Sequence, residues 1–228
     1  GIARDLSSTG IGKLIPFKKK NLKHTSKHYI KTSITKDKHQ GCLTFGSCYI
    51  KNITNKESPD WLKSKLHVLG LKPISAVVDI TNYVMHEIGQ PLHAFDLDKI
   101  ENITVKSLKS GTKFKTLDES EIKLNNEDLM ICSNSEPLCL AGIYGGIDSG
   151  VSESTNSLFL ESAIFNSVTI RKSSKRHQLF TDASYRYERG VDPEKVIYAL
   201  KRAANLIKKD NPDCIISAVF SEDNLKLV

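Results

Sequence analysis

The sequence predicts an α+β fold, in which a strand-rich central sheet or barrel is flanked by several helices. Two helical segments with apolar stripes come first, before residue 90. Short β-like runs separated by turn-forming residues then occupy residues 102–165, and helical periodicity returns after them. Because the strands are grouped in the middle rather than alternating with helices, this order is typical of an α+β protein.

The first of these helices is predicted over residues 59–69. Ser58 is the predicted N-cap, Pro59 occupies the first helical position, and Gly70 ends the helix. The apolar stripe of the helix consists of Leu62, Leu66 and Leu69.

The second helix is predicted in "ISAVVDITNYVMHEIG", with Gly89 at its end. Its apolar positions have helical spacing and are Val77, Ile80, Val84 and Ile88. Asp79 and Asn82 fall off this stripe, so both are predicted to face a cleft.

The predicted strands lie in the runs "ITVKSL", "KFKTL", "EIKL", "LMICS", "LCLAGIYGG" and "LFLESAIF". The intervening "KSG", "DES", "NNED" and "SNSEP" are turn-forming. "LMICS" and "LCLAGIY" are apolar almost throughout, which predicts central strands.

Three helices are predicted after the strands. "SVTIRKSSKRHQL" has mixed composition, and "TDASYRYERG" suits a short helix capped by Thr181 or Asp182 and ended by Gly190. The final helix is predicted to begin at 192–194, the sequence Asp-Pro-Glu, and its apolar face repeats with helical spacing.

Composition places the chain among soluble globular proteins, with 39% hydrophobic and 26% charged residues in a length of 228. No run reaches the roughly 20 apolar residues of a membrane span, and the N-terminus lacks the apolar core of a signal peptide. These features predict a cytoplasmic protein. Five cysteines, an odd number with no CxxC pair, predict reduced and mostly buried thiols rather than disulfides or a zinc site.

Positive charge is concentrated at the start of the chain. Residues 1–40 contain ten Lys and Arg against two acidic residues, within a net charge of +7 for the whole chain. This segment is predicted to be a basic linker, either solvated or following a phosphate backbone.

Two segments are open to both a structural and a functional interpretation. "GIYGGIDSG" is either a tight turn or a backbone wall that a ligand approaches closely, with Gly145 and Gly146 at its centre. His93, in "GQPLHAF", is either a hydrogen-bonding residue of a turn or part of a site. Since no HxxxH, HExxH or Cys/His cluster is present, no metal site is predicted.

Glu161 is an acidic residue in the apolar run "LFLESAIF". Alternation places it on the same strand face as Phe159 and Ala163, so it is predicted to be partly buried and to need a partner. That partner is either a basic side chain or a ligand.

Four long strings resemble the β subunit of bacterial-type phenylalanyl-tRNA synthetase, specifically its third and fourth domains. They are "PISAVVDITNYVMHEIGQPLHAFDLDKI", "LAGIYGGIDSGV", "LFLESAIF" and "KRHQLFTDASYRYERGVDP", and the resemblance covers about residues 42–215. It implies that 41–228 is an editing domain pair and that 1–40 is the linker and the end of a preceding N-terminal region. Lys72 stands where arginine is expected in many relatives, which weakens any bidentate contact there.

The resemblance implies an editing reaction, the hydrolysis of tyrosyl-tRNA(Phe). Editing is needed because a synthetic pocket shaped for phenylalanine rejects an added hydroxyl poorly. The resemblance implies that Glu161 recognises the tyrosine hydroxyl by accepting its hydrogen bond. The other implied substrate-binding residues are Gly145, Thr181 and Ala183. His93 and Asn82 are the implied catalytic residues, placed around the aminoacyl ester and the terminal ribose, with a bound water as nucleophile.

The expected partners are the acceptor end of tRNA(Phe) and the synthetase α subunit of the full-length heterotetramer. A basic run on the predicted mixed helix is either a candidate RNA-binding surface or a solvated helix face, and it consists of Arg171, Lys172, Lys175 and Arg176. The run 185–188, "YRYE", resembles the ATP-holding pattern of class II synthetases, but no second arginine motif follows it. The chain is therefore predicted to use no cofactor, and ATP and magnesium would serve the whole synthetase. The alternative function is a non-catalytic structural and tRNA-positioning module.

Overall fold

A computed structural model describes residues 2–15, 22–35 and 41–224. Its helices are α1 (Ile2–Ser8), α2 (Asp60–Val68), α3 (Ala76–Ile88), α4 (Ser167–His177), α5 (Asp182–Tyr187) and α6 (Lys195–Asp210). Its strands are β1 (Thr32–Ile34), β2 (Cys42–Lys51), β3 (His93–Asp96), β4 (Ile103–Ser107), β5 (Lys113–Lys115), β6 (Glu121–Lys123), β7 (Leu129–Ser133), β8 (Glu136–Leu140), β9 (Tyr144–Gly145), β10 (Ser157–Phe165), β11 (Ile215–Ile216) and β12 (Phe220–Asp223). The predicted α+β class is confirmed.

The strands form two larger sheets and a separate β5–β6 ribbon. The first sheet has the order β1–β4–β7–β8–β9, and the second has the order β11–β2–β10–β3, with β12 also paired to β2. All nine residues of β10 are buried, because this strand lies between β2 and β3 and both of its faces are covered. A strand that is covered on both faces typically has a continuous apolar sequence, and "LFLESAIF" is apolar at nearly every position.

Each face of the second sheet belongs to a different hydrophobic core. One face packs towards the first sheet, in a core that includes Phe45, Phe95 and Phe159 of the second sheet and Val105 and Ile131 of the first. The opposite face packs against helices α2, α3 and α6, in a core that includes Leu158 and Leu160 of β10 and Leu62, Ile80 and Leu200 of the helices. Glu161 is therefore the acidic member of a strand held between two apolar layers.

Helices α2 and α3 confirm the two helices predicted before residue 90, with two corrections to the predicted roles of single residues. Pro59, not Ser58, is the N-cap of α2, and the Ser58 hydroxyl instead donates to Asp79 Oδ2 at 2.5 Å. The predicted cleft position of Asp79 is wrong, because its side chain is fully buried and also accepts from the Ile74 amide at 2.9 Å. Gly89 ends α3 with a φ of 81°, as predicted.

The six predicted β-like runs correspond to β4–β10, and β7 and β8 lie inside the first sheet as expected. Strands β1, β2, β3, β11 and β12 were not predicted. His93 therefore lies at the start of a strand, not in a turn. Part of the predicted linker contacts the folded body, since β1 pairs in parallel with β4 and the Thr25 amide donates to the Ile216 carbonyl at 2.8 Å.

The helices predicted after the strands are present as α4, α5 and α6. Thr181 is the N-cap of α5 and forms a capping box with Ser184, and Gly190 follows the helix with a φ of 88°. All five cysteines are buried free thiols. Among the residues that the structure describes, no helix combines the length and the apolar character needed to cross a membrane.

Candidate functional site

A cleft of about 670 Å³ opens beside α3, α5 and the glycine-rich segment. A narrower inner pocket of about 60 Å³ shares six lining residues with this cleft and extends from it to Glu161. The shared residues are Leu92, His93, Ile143, Tyr144, Gly145 and Ala183. All six residues predicted to bind substrate or act in catalysis line the cleft, the inner pocket or both.

Glu161 is 3% exposed and lines the inner pocket from strand β10. Its Oε1 has no hydrogen-bond partner. Burial raises the pKa of its carboxyl from 4.5 to about 8, because the charged form loses its hydration. Near neutral pH and without a ligand, the carboxyl is mostly protonated, so it can both donate and accept a hydrogen bond.

His93 lies opposite Glu161 on the neighbouring antiparallel strand. The residue as a whole is partly exposed, but its Nε2 is buried and has no hydrogen-bond partner. Burial lowers the pKa of the imidazole from 6.5 to about 4. The ring is held edge-on to Phe95, with 4.4 Å between ring centroids. A neutral imidazole of this kind positions a ligand or water by hydrogen bonding and is a weak proton acceptor.

Gly145 and Gly146, at the centre of the glycine-rich segment, have no room for a side chain. A Cβ on Gly145 would lie 3.0 Å from His93 Cε1 and 2.8 Å from Leu117 Cδ1. The Gly145 carbonyl also accepts from the Leu117 amide at 3.0 Å. A Cβ on Gly146 would lie 2.7 Å from the Leu138 carbonyl oxygen. The two glycines thus allow the segment to pack directly against its neighbours.

Thr181 and Ala183 lie on the other side of the site, at the start of α5. The Thr181 hydroxyl donates to the Ile143 carbonyl at 3.0 Å and accepts from the Ser184 amide at 3.1 Å. The first of these hydrogen bonds connects α5 to the glycine-rich segment, and the second caps α5. Ala183 lines both the cleft and the inner pocket, so its small side chain sets the width of the connection between them.

Asn82 lines the outer cleft from α3 and is half-buried. His93 lines the same cleft. The Asn82 side-chain amide can donate and accept, which suits it to hold an ester carbonyl or a ribose hydroxyl.

A third group at the cleft went unrecognised in the sequence. Asp182 lines the cleft, and its Oδ1 accepts from Arg186 Nη1, four residues later on α5, at 2.8 Å. Arg186 Nη2 also approaches His86 Nδ1 at 3.4 Å. Burial, aided by Arg186, lowers the pKa of His86. The sequence signal was present in the Asp182–Arg186 spacing, but His86 is a hundred residues away from Arg186 along the chain.

The four basic residues predicted to bind RNA lie on α4 but differ in their contacts. Arg171, Lys172 and Lys175 are exposed. Arg176 instead forms ion pairs with Glu127, at 2.7 Å, and with the fully buried Asp128. Within the described ranges, no group of three or more His, Cys, Asp or Glu side chains is arranged to hold a metal ion.

Comparison with known proteins identifies the family. The family model of the B3/4 domain matches residues 41–211. The chain belongs to the B3/4 domain family. These bounds agree with the span of the resemblance in the sequence, about 42–215, and they contain every residue of the site described above.

The B3/4 domain is similar to part of several curated phenylalanine–tRNA ligase beta subunits. It is 48% identical to that of Bacteroides fragilis over 184 residues, which are 80% of this chain and 22% of the relative. It is 45% identical to that of Bacteroides thetaiotaomicron over 215 residues, or 92% of this chain and 26% of the relative. It is 53% identical to that of Porphyromonas gingivalis over 169 residues, which are 73% of this chain and 21% of the relative. The chain thus spans about a quarter of the length of these relatives, and the predicted resemblance is confirmed.

A solved structure supports the fold of the B3/4 domain. The crystal structure of an N-terminal fragment of the phenylalanyl-tRNA synthetase beta-subunit from Pyrococcus horikoshii has a TM-score of 0.59 to this chain. The similarity covers 97% of this chain and 60% of that fragment, at 14% sequence identity. At that identity the comparison establishes the shared fold.

Proposed function

We propose that this B3/4 domain is an editing site that hydrolyses the ester of tyrosyl-tRNA(Phe), with Glu161 recognising the tyrosine hydroxyl. The observation that carries the proposal is the position of Glu161. Its carboxyl is buried, lacks a partner at Oε1 and lines a small pocket reached from a larger cleft. Buried polar groups are nearly always hydrogen-bonded, so one left unpaired beside a pocket is suited to a ligand.

The specificity follows from the hydrogen bond that only one of two substrates can form. The phenol of tyrosine would donate to Glu161, whereas phenylalanine would leave the carboxyl unpaired. A buried acceptor left without a partner costs about 1 to 3 kcal/mol, which corresponds to roughly 5- to 150-fold in rate. This preference is opposite to that of a pocket selected for phenylalanine.

The reaction takes place where the inner pocket joins the cleft. With the side chain towards Glu161, the ester lies near His93 and Asn82, which line the cleft. Water adds to the ester carbonyl, and the products are tyrosine and the free terminal hydroxyl of the tRNA. Since burial holds the pKa of His93 at about 4, its role is to position the water rather than to remove its proton.

A covalent intermediate is disfavoured at this site. Cys139 lines the inner pocket, but burial raises the pKa of its thiol well above the usual range. The thiol therefore stays protonated and is a poor nucleophile. Direct attack by water is the remaining route that the lining residues support.

The proposal assigns the chain a place within a larger enzyme. The acceptor end of tRNA(Phe) is the expected ligand, and the synthetase α subunit is the expected partner of the whole β subunit. ATP and magnesium would act in the synthetic reaction elsewhere in that enzyme, and the cytoplasm is its expected compartment.

Deacylation rates test the proposal. The 228-residue chain is expected to hydrolyse tyrosyl-tRNA(Phe) faster than phenylalanyl-tRNA(Phe). Glu161→Ala should reduce the ratio of these two deacylation rates. Glu153→Ala is the matched control, because Glu153 is exposed and lies outside the pocket lining. Equal wild-type rates on both substrates would refute the role of Glu161. Absence of hydrolysis and of tyrosine binding would favour the structural and tRNA-positioning module instead.

A further inference from the structure

The outer cleft contains one carboxylate whose environment differs from that of Glu161. Asp182 is the sole Asp, Glu, Lys or Arg among the described residues that line the cleft. Its side chain is 50% exposed, so it is accessible to a ligand in solution. The other lining residues are apolar, uncharged or, like His93, neutral because of burial. A charged ligand in this cleft therefore meets a single fixed negative charge.

Arg186 holds one oxygen of the Asp182 carboxylate, and His86 lies near the other. Arg186 Nη1 donates both to Asp182 Oδ1 and to the Asp182 carbonyl, at 2.8 and 2.7 Å. Neither Arg186 nor His86 is among the residues that line the cleft. A cation that enters through the cleft would thus meet Asp182 without contacting Arg186 or His86 as lining residues.

The second carboxylate oxygen is the one left available. Asp182 Oδ2 lies 3.8 Å from His86 Nε2, which has no hydrogen-bond partner. An arginine can only donate, so the contact of Arg186 with Nδ1 makes that nitrogen the acceptor and places the imidazole proton on Nε2. The separation of 3.8 Å between Nε2 and Oδ2 is too long for a hydrogen bond. Oδ2 therefore keeps its capacity to accept from a ligand.

We propose that Asp182 binds the α-ammonium group of the aminoacyl ester, with Arg186 and His86 as residues that position its carboxylate. The inference rests on the proposed function for the identity of the ligand. An aminoacyl ester carries its positive charge on the α-amino group, which is largely protonated near neutral pH. Asp182 lies between Thr181 and Ala183, which line the same cleft, so a side chain directed to Glu161 leaves the ammonium group in the cleft.

This contact would separate two recognition tasks. Glu161, in the inner pocket, would select the ring hydroxyl, and Asp182, in the outer cleft, would select the free amino group. An aminoacyl ester has such a group, whereas a peptidyl ester or an acylated amino acid does not. Asp182 would therefore restrict the site to esters of free amino acids.

Binding of two amides tests the inference without requiring catalysis. The probes are L-tyrosinamide, which carries the ammonium group, and 3-(4-hydroxyphenyl)propanamide, which lacks it, with affinities measured by calorimetry. The wild-type chain should bind tyrosinamide about fivefold tighter, the scale of one partly exposed charge pair. Asp182→Asn should bring the ratio close to one. Asp148→Asn, which removes an exposed carboxylate outside the cleft lining, should leave the ratio unchanged.

The outcomes separate this inference from the proposed function. A wild-type ratio of one overturns the inference without the use of any variant, which covers the case in which Asp182→Asn does not fold. A ratio that persists in folded Asp182→Asn also overturns it. Glu161→Gln should change the preference for tyrosinamide over phenylalaninamide. It should keep the ammonium ratio, which is the affinity for tyrosinamide divided by that for 3-(4-hydroxyphenyl)propanamide. If Glu161→Gln leaves the hydroxyl preference unaltered while Asp182→Asn abolishes the ammonium ratio, the ammonium site stands and the role of Glu161 fails.

Discussion

Glu161 and His93 face each other across neighbouring antiparallel strands, and each has a buried polar atom without a hydrogen-bond partner. Directly paired residues project to the same face of a sheet, so both side chains share the face that carries Phe95 and Phe159. Leaving polar atoms unpaired among aromatic rings lowers stability. Strands rather than loops position both groups, which fixes their separation before a ligand arrives.

The stability of the chain should depend on pH through both groups, with opposite signs. The pKa of Glu161 rises from 4.5 to about 8 on folding, so its contribution is present below pH 4.5 and is lost as the pH rises towards 8. The pKa of His93 falls from 6.5 to about 4, so its contribution is present above pH 6.5 and is lost as the pH falls towards 4. Glu161→Gln removes the first dependence and leaves the second.

Chemical denaturation at pH 5, 6.5 and 8 checks this prediction. The unfolding free energy of Glu161→Gln relative to wild type should increase with pH, by at most about 1.4 kcal/mol per pH unit. Glu153→Gln, at an exposed position, should show no such trend. A difference between Glu161→Gln and wild type that is constant across the three pH values would contradict the raised pKa.

Gly145→Ala should damage the site more than the fold. The new methyl group would lie 3.0 Å from His93 Cε1 and 2.8 Å from Leu117 Cδ1. Leu117 is 47% exposed and can move aside, whereas His93 is confined by its contact with Phe95. We expect about a tenfold or greater loss of tyrosyl-tRNA(Phe) deacylation and a stability loss of about 1 to 3 kcal/mol.

Gly12→Ala is the control for that substitution, because a Cβ on Gly12 would have nothing within 4 Å. It should preserve both the deacylation rate and the unfolding free energy. Wild-type deacylation by Gly145→Ala would show that Gly145 does not set the position of His93.

Ala183→Leu should close the connection between the cleft and the inner pocket. Ala183 is partly buried and lines both, so a larger side chain occupies the space through which a ring would pass. Calorimetry should show loss of tyrosinamide binding, while stability changes by about 1 kcal/mol or less. Ala3→Leu, on the exposed face of α1, controls for added apolar surface. Unaltered tyrosinamide binding would rule out this route to Glu161.

Much of the fold was predictable because local patterns agreed with tertiary packing. The stop at Gly89, the cap at Thr181 and the continuous apolar run of β10 follow from local preferences, and each is present. Strands β2 and β3 were missed. "CLTFGSCYIK" lacks alternation because both of its faces are buried, and "HAFD" is too short for a pattern.

The site was predictable in its residue identities but not in its internal contacts. Glu161 stood out as an acid in an apolar strand, and the structure leaves its Oε1 unpaired. Asp79 was assigned to the cleft from helical position alone, yet the buried Ser58 hydroxyl and the Ile74 amide are its partners. His86 joins Arg186 across a hundred residues. Such pairings arise from tertiary structure, which helical spacing does not encode.

The basic residues of α4 should divide into two classes when they are replaced. Arg171, Lys172 and Lys175 are exposed, so their replacement by alanine should leave stability within about 0.5 kcal/mol. If this face contacts tRNA, each replacement should weaken tRNA binding and reduce its dependence on salt. Arg176→Ala should instead destabilise the fold by about 1 to 3 kcal/mol, because the fully buried Asp128 loses a charged partner.

Filter binding of tRNA at two salt concentrations, together with denaturant unfolding of each variant, separates these classes. Asp128 also accepts from Ser173 Oγ at 2.6 Å and contacts His177 Nε2 at 2.6 Å, so Arg176→Ala should unfold at lower denaturant but still fold. Arg176→Lys keeps a charge near Asp128 and should recover part of the stability, though not all, because lysine lacks the two-pronged geometry that also contacts Glu127. If Arg176→Ala weakened tRNA binding at unchanged stability, its ion pairs would be incidental and its role would lie in RNA contact. If replacement of the three exposed residues left tRNA binding unchanged at both salt concentrations, this face of α4 would be a solvated surface, and the tRNA would approach the cleft from elsewhere.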